Sequence, residues 1–237
     1  MAQSKKYGKI YLIPCEMGEQ ESTRLFPPVN AEIINTLSYF IVENIRSERR
    51  SLKRMLPYIV IDNLHFSELD KHAKEINISD LLQPALNGYS IGIMSEAGMP
   101  CIADPGALVV NKAHELGLQV VPLIGPNSIV MALIASGGNG QNFAFHGYVP
   151  IKEQRKSFLL HAEQSAKRFG QTQIFMETPY RNQNLFAEML QLLQPTTKLC
   201  IASHITLNNE YIATKTIADW RKTAIDINKK PTIFVII

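Results

Sequence analysis

The sequence predicts an α/β protein made of two consecutive α/β blocks, and three observations carry that reading. Short apolar runs alternate with amphipathic stretches along all 237 residues, as they do where strands and helices take turns. A composition of 46% hydrophobic and 19% charged residues supplies material for a substantial core. The segment Pro122 to Asn127, with two prolines and one glycine, interrupts the alternation midway. It reads as the crossing between blocks 1–122 and 123–237.

In the first block the apolar runs Lys9 to Pro14, Tyr39 to Val42, Tyr58 to Ile61, Ser90 to Met94 and Gln119 to Leu123 are expected strands. Helices are expected over Asn30 to Leu37, Arg46 to Met55, His65 to Glu75 and Pro105 to Leu116, with a short one over Asp80 to Leu86. Gly117 is placed to cap the end of its helix. The second block opens with a helix at Ser128 to Ala135 and the loop Ser136 to Gly140. Strands follow at Phe143 to Tyr148, Gln173 to Met176, Lys198 to Ala202, Glu210 to Lys215 and Thr232 to Ile237. The clearest helices between them are Glu153 to Arg168 and Arg181 to Leu193. Only a short turn at Asn208-Asn209 precedes Glu210, so that strand should pair antiparallel.

Composition also excludes. Three cysteines, far apart and without a Cys-x-x-Cys pair, fit a reduced cytoplasmic setting rather than a disulfide framework. The six histidines show no ligand spacing, so no metal is expected. The polar, basic Met1 to Lys6 lacks the apolar stretch of a secretory signal, and no run is long enough for a membrane span. A net charge of +3 is small, but Arg46, Arg49, Arg50, Lys53 and Arg54 crowd into nine residues. On a helix, 46, 50 and 53 share a face that would steer a phosphate backbone, or simply be solvated.

The most informative stretch is Ser95-Glu96-Ala97-Gly98-Met99-Pro100-Cys101-Ile102-Ala103-Asp104-Pro105-Gly106. It leaves the carboxyl end of an expected strand, where open parallel sheets bind ligands. Gly98 permits a positive φ or a close backbone approach, and Asp104 is placed to cap the next helix. Three more motifs follow in order: Gly125-Pro126-Asn127-Ser128, Phe145 to Pro150, and Met176-Glu177-Thr178-Pro179-Tyr180-Arg181. Together they resemble the class III S-adenosylmethionine (SAM) methyltransferases, the tetrapyrrole methylase superfamily. Within it they are most like the branch that methylates a cytidine ribose 2′-oxygen in 16S ribosomal RNA.

The resemblance implies two α/β/α domains with SAM in the cleft between them, and a homodimer. It assigns donor contacts to Glu96, Ala97, Gly98 and Met99, to Ser128 and Ile129, to Met176 and Glu177, and to Pro231 and Thr232. Pro14 and Met17, in the loop after the first strand, would close over the donor. Transfer from a sulfonium is an in-line displacement, so the protein's main task is alignment. A ribose hydroxyl is a poor nucleophile, and a nearby base would help it; Glu43 and His204 are the candidates. The branch's Ala-Glu-Asp-Thr-Arg reads here Val42-Glu43-Asn44-Ile45-Arg46. Glu43 would orient or deprotonate a hydroxyl and Arg46 would meet an anionic acceptor. The chain keeps Pro14 and Gly18 of the branch's opening loop but adds acidic residues there, Glu16 and Glu19, and it departs at Glu96 in place of Asp and at Ser203 to Leu207. RNA of the small ribosomal subunit is the expected acceptor. A tetrapyrrole or other small molecule, or a SAM-binding factor without activity, are the alternatives.

Overall fold

The computed structural model describes residues 6–18, 25–69, 77–151 and 153–237. The chain divides into two compact units, Met1–Pro126 and Asn127–Ile237. In the first, β1 (Ile10–Ile13), β2 (Tyr39–Val42), β3 (His65–Glu68), β4 (Ile91–Met94) and β5 (Val120–Pro122) form one sheet in the order β3-β2-β4-β1-β5. Every pairing is parallel. Helices α1 (Pro28–Ile34), α2 (Ile45–Met55), α3 (Ile78–Leu81), α4 (Gln83–Leu86) and α5 (Gly106–Glu115) complete it.

Strand β4 explains why this sheet is covered on both faces. All four of its residues are buried, and alternate side chains point to opposite sides. Ile91 and Ile93 pack with Val109 and Ala113 of α5 and with Leu82. Met94 packs with Ile34 of α1 and Leu52 of α2. A parallel strand buried on both faces reads as an uninterrupted apolar run, which is what the sequence offers.

Two expectations are overturned here. Tyr58 to Ile61 is not a strand: Tyr58 and Val60 are exposed and Ile61–Asn63 forms a 3-10 turn. The strand lies a few residues later, where a helix over His65 to Glu75 was expected. His65 and Phe66 lie alongside Tyr39 and Phe40, ring on ring at 5.0 and 5.5 Å, and this cross-strand stacking favours the extended form. Residues 70–75 of that expected helix lie outside the described residues. The expected helix over Asp80 to Leu86 is two short ones, α3 and α4, meeting at Leu82.

The second unit is mixed. Strands β6 (Phe143–Tyr148), β7 (Thr172–Met176), β8 (Lys198–Ser203), β9 (Tyr211–Thr216) and β10 (Thr232–Ile236) are ordered β6-β7-β10-β8-β9. Only β6 and β7 are parallel, and β9 runs antiparallel to β8 as its short approach demands. Helices α7 (Glu153–Phe169), α8 (Asn182–Leu192) and α9 (Ile217–Trp220) share a core with Phe175, Ile201 and Phe234. Helix α6 (Ser128–Ser136) covers the other face. Ala213 packs into that core, while the next residue, Thr214, turns the opposite way and donates to the Ser136 carbonyl at 2.8 Å. Each unit is thus an α/β/α sandwich.

Trp220 anchors the second core. It is fully buried, meets Phe186 edge to face, and its indole N–H donates to the Leu199 carbonyl at 2.8 Å. Trp220→Ala is expected to cost about 3–5 kcal/mol in urea unfolding followed by circular dichroism. Trp220→Phe, which keeps a ring and loses the donor, should cost about 1–2 kcal/mol.

Candidate functional site

The register Ile13↔Met94 delivers the chain after β1 and the chain after β4 to the same end of the sheet, side by side. There they bond to each other. Cys15 N–H donates to the Gly98 carbonyl at 2.8 Å, and Gly98 N–H returns the bond to Cys15 at 3.2 Å. Gly98 has φ +69°, and a Cβ there would meet only ordinary contacts, the closest at 3.7 Å. The position needs glycine for its backbone conformation rather than for room. Gly125 is the reverse case: a Cβ would lie 2.2 Å from Pro14 Cγ, so the Pro14 ring is seated on bare backbone. Glu96 and Ala97 are left exposed at the tip, with Met17 and Met99 half-buried beside them.

The loop then climbs into α5 through two left-handed non-glycine residues, Cys101 (φ 70°) and Ala103 (φ 60°). Each costs about 1–2 kcal/mol. Asp104 helps hold them, its Oδ1 accepting the Gly106 N–H at 2.7 Å. Its other oxygen, Oδ2, is buried with no hydrogen-bond partner among the described residues. Burial pushes this carboxyl above its ordinary range, against the bonds from Gly106 and Cys101, and the charge of Glu43 adds to the rise.

Helix α2 brings further carboxylates to this end. Asn44, one of the departures from the resembling branch, caps the helix by accepting the N–H groups of Arg46 and Ser47 at 3.0 and 3.1 Å. Glu16 is buried and accepts from Ser51 at 2.8 Å and from Arg54 at 3.1 Å. Glu48, also buried, has an Oε1 without a hydrogen-bond partner among the described residues, as has the Ser95 hydroxyl. Burial pushes Glu48 up to about 7; a bond from Ser47 opposes this, and the charges of Glu96 and Glu43 reinforce it. Glu43 is half-buried and its Oε2 lies 3.5 Å from the Glu96 N–H, a long contact that ties β2's exit to the loop. Glu48 went unnoticed in the sequence. Its signal was there: with Ser51 and Leu52 it occupies the core-facing i, i+3, i+4 row of an otherwise basic helix.

The basic stripe is partly consumed by the fold. Arg49 pairs with Asp62 at 2.7 Å, Arg54 with Glu16, and Lys53 donates to the Ile59 carbonyl at 2.9 Å. Arg46 and Arg50 are exposed and make no ion pair among the described residues. Glu19, part of the acidic opening loop, lies outside the described residues.

In the second unit the register Met176↔Ile233 sets Met176 one step from Thr232 at a common end of the sheet. Thr232 is buried and donates to the Lys230 carbonyl at 2.9 Å, while Pro231 is exposed. Ser128 and Ile129 open α6 half-buried, but the cap is Asn127, which accepts the N–H groups of Ile129 and Val130 at 3.0 and 3.1 Å. Glu177 is no surface partner of Arg181. It is buried: Oε2 pairs with Arg155 at 2.7 Å, and Oε1 accepts from Thr178 N–H at 2.7 Å and from Arg181 at 3.1 Å. Both oxygens are spent inside the protein. His204 adopts φ +52° and donates its N–H to the Pro231 carbonyl at 3.0 Å. Among the described residues no group of three acidic, histidine or cysteine side chains could hold a metal ion. Among the same described residues no helix is long and apolar enough to cross a membrane.

Two outcomes follow. Gly98→Val forces a branched side chain to φ +69°, at a cost of about 1–3 kcal/mol. It should open the Cys15–Gly98 bridge, read as faster amide exchange at both residues. Glu48 keeps its proton in the folded state at pH values where the unfolded chain has lost it. The folded pKa is raised from 4.5 to about 7, so stability falls as pH rises through that window. Glu48→Gln should therefore gain stability over the natural protein progressively across it, read as the difference in urea midpoints.

No family model matches the chain. Ribosomal RNA small subunit methyltransferase I of Vibrio cholerae is 32% identical over 166 residues, covering 70% of this chain and 56% of that protein. The protein of the same name from Buchnera aphidicola subsp. Schizaphis graminum is 28% identical over 240 residues, covering 100% of this chain and 80% of its own length. The chain thus spans little more than half of the Vibrio relative. Among solved structures, the methyltransferase CobJ matches with a TM-score of 0.63 at 14% identity, over 97% of this chain and 93% of that one. Uroporphyrin-III-C-methyltransferase from Thermus thermophilus matches at 0.55 and 15%, over 97% and 91%. The chain has the tetrapyrrole methylase fold and is similar in sequence to ribosomal RNA small subunit methyltransferase I.

Proposed function

We propose that the chain is a SAM-dependent methyltransferase acting on RNA, with a ribose 2′-oxygen of small-subunit ribosomal RNA as the target. The observation that carries this reading is the similarity to ribosomal RNA small subunit methyltransferase I, which extends over the whole chain in the Buchnera relative. The loop geometry of the first unit supports it. An open tip at Glu96 and Ala97, a positive-φ Gly98 bonded to Cys15, and the buried unpartnered oxygens of Ser95, Glu48 and Asp104 fit a polar, cationic donor held largely by backbone.

In this reading the donor contacts are Pro14, Met17, Glu96, Ala97, Gly98, Met99, Ser128, Ile129, Met176, Glu177, Pro231 and Thr232. Glu177 contributes through its backbone, because its carboxylate is occupied by Arg155 and Arg181. The bound donor supplies a methyl group already activated by a positive sulfur. Glu43 orients the acceptor hydroxyl and takes its proton. The carboxylates of Glu96 and Glu43 favour a cation near the loop, and a partly protonated Glu48 moderates their repulsion. Arg46 and Arg50 meet the phosphate backbone. A cytoplasmic setting, which rests on the scattered cysteines, and a homodimer, which rests on the resemblance, belong to the same proposal.

Labelled methyl from SAM should appear in the ribosomal RNA of small subunits taken from a strain lacking this protein, and should map to a ribose 2′-oxygen. Label elsewhere, or none with SAM still bound, would refute the assigned acceptor. The double variant Arg46→Ala, Arg50→Ala should keep its SAM affinity while RNA binding weakens. The slope of log K against log salt should fall by about 1.4–1.8 if both residues neutralise phosphates.

A further inference from the structure

The second unit contains a cavity of about 170 Å³ that no donor contact proposed above lines directly. A cavity of about 150 Å³ takes a benzene ring, so this one is large enough for one ring system, and it is smaller than the roughly 300–1,000 Å³ of pockets that enclose a whole drug-sized ligand. Its apolar part is Ile225 and the buried Ile227; Asn209, Tyr211 and Asp226 are exposed, so they mark the side open to solvent. Lys230 lines it too.

The cavity is built in place rather than left over. Gln183 of α8 donates to the Ile225 carbonyl at 3.2 Å and accepts the Ile227 N–H at 3.0 Å. The neighbouring Asn182, fully buried, donates to the Lys230 carbonyl at 2.6 Å. Two residues of α8 therefore fix the whole 225–230 loop from behind. Both bordering loops carry left-handed non-glycine residues, His204 (φ 52°) and Thr206 (φ 75°) on one side and Lys229 (φ 58°) on the other. Backbone of this kind persists where surrounding structure enforces it, and such residues gather at ligand clamps.

The chemistry of the lining selects among ligands. An exposed tyrosine ring beside an apolar wall receives a flat heterocycle by stacking. A carboxylate and an amide at the mouth suit an exocyclic amino group, which donates to the Asp oxygens and to the Asn side-chain oxygen, while the Asn NH2 can donate to a ring nitrogen or carbonyl beside it. The Asp226 carboxyl is held below its usual range by the Asn228 N–H and by Lys230, so it is an acceptor at neutral pH. The adjacent exposed Lys229 supplies positive charge for a phosphate, a group that a nucleotide of RNA carries and the adenosine of SAM does not.

We propose that this cavity binds one unstacked, amino-bearing nucleobase of the RNA acceptor, stacked on Tyr211 with its amino edge at Asp226. The inference rests on the reading of RNA as acceptor and adds where a nucleotide of that RNA sits. It also gives a use to the Ser203 to Leu207 segment, where the chain departs from the branch it resembles.

The test uses the full chain and two titrations. Fluorescence anisotropy follows a labelled single-stranded RNA hexamer of cytidine, and calorimetry follows SAM. Tyr211→Ala and Asp226→Ala should each weaken hexamer binding about fivefold or more. Tyr211→Phe, which keeps the stacking face, should stay within about twofold, and all three variants should bind SAM as the natural protein does. Loss of SAM affinity in Tyr211→Ala would overturn the proposal by giving the cavity to the donor's own base. Unchanged hexamer binding in both alanine variants would overturn it as well. If the natural protein still methylates small subunits, the functional reading survives either result. If the natural protein neither binds the hexamer nor methylates RNA, both readings fall together.

Discussion

The parallel pairing of β1 with β4 is the constraint on which the first unit's candidate site depends. Because Ile13 stands opposite Met94, two loops far apart in sequence leave the sheet as neighbours and can close a pair of backbone bonds at Cys15 and Gly98. A one-residue slip would turn Ile91 and Ile93 away from α5, so the packing of both faces enforces the register. The loop tip takes a long side-chain contact as well, from the Glu96 N–H to Glu43 at 3.5 Å. It is held by its roots, which leaves Glu96 and Ala97 exposed without leaving their backbone undefined.

Charge is arranged around that bridge with a clear division. The outward side of α2 is basic, and two of its arginines and its lysine are tied to Asp62, Glu16 and the Ile59 carbonyl. The inward side carries Glu48, enclosed among groups of its own sign. Burying a carboxyl beside other carboxylates is costly. Protonation lowers that cost, so folding and protonation are coupled at this position. An apolar side chain could fill the same space without the penalty, as buried ion pairs replaced by hydrophobic residues show in other proteins.

Much of the architecture was legible because parallel, doubly covered strands are read as continuous apolar runs: Tyr39–Val42 carries the expected bounds and Ile91–Met94 starts one residue inside them. The failures share one cause. At the β3 edge, Tyr58 to Ile61 is apolar enough to pass for a strand yet lies exposed, while His65–Glu68 gains its extended form from rings on β2 that sequence periodicity cannot see. Gly98 and Asp104 were legible as a loop device because positive φ and capping are local properties. Glu48 and Ser95 were not, because an unpartnered oxygen is a property of the packed surroundings.

The motif Met176 to Arg181 shows how the acidic side chain of such a segment can be spent on the fold itself. Its acidic residue was expected at the donor, and its carboxylate is instead the hub of an internal clamp. Glu177 joins α7 through Arg155, which also reaches Glu188 of α8 and the Pro150 carbonyl. The same carboxylate fixes Thr178 and Arg181 at the turn into α8. Helix α8 in turn supplies Asn182 and Gln183 to the 225–230 loop. The clamp thus transmits position from the end of β7, through the start of α8, to the segment leading into Thr232. A charge removed at Glu177 would leave Arg155 buried and unpaired on that side, so its effect should reach the 225–230 loop without any direct contact. Residues of this motif thus set the backbone of the 225–230 loop in place.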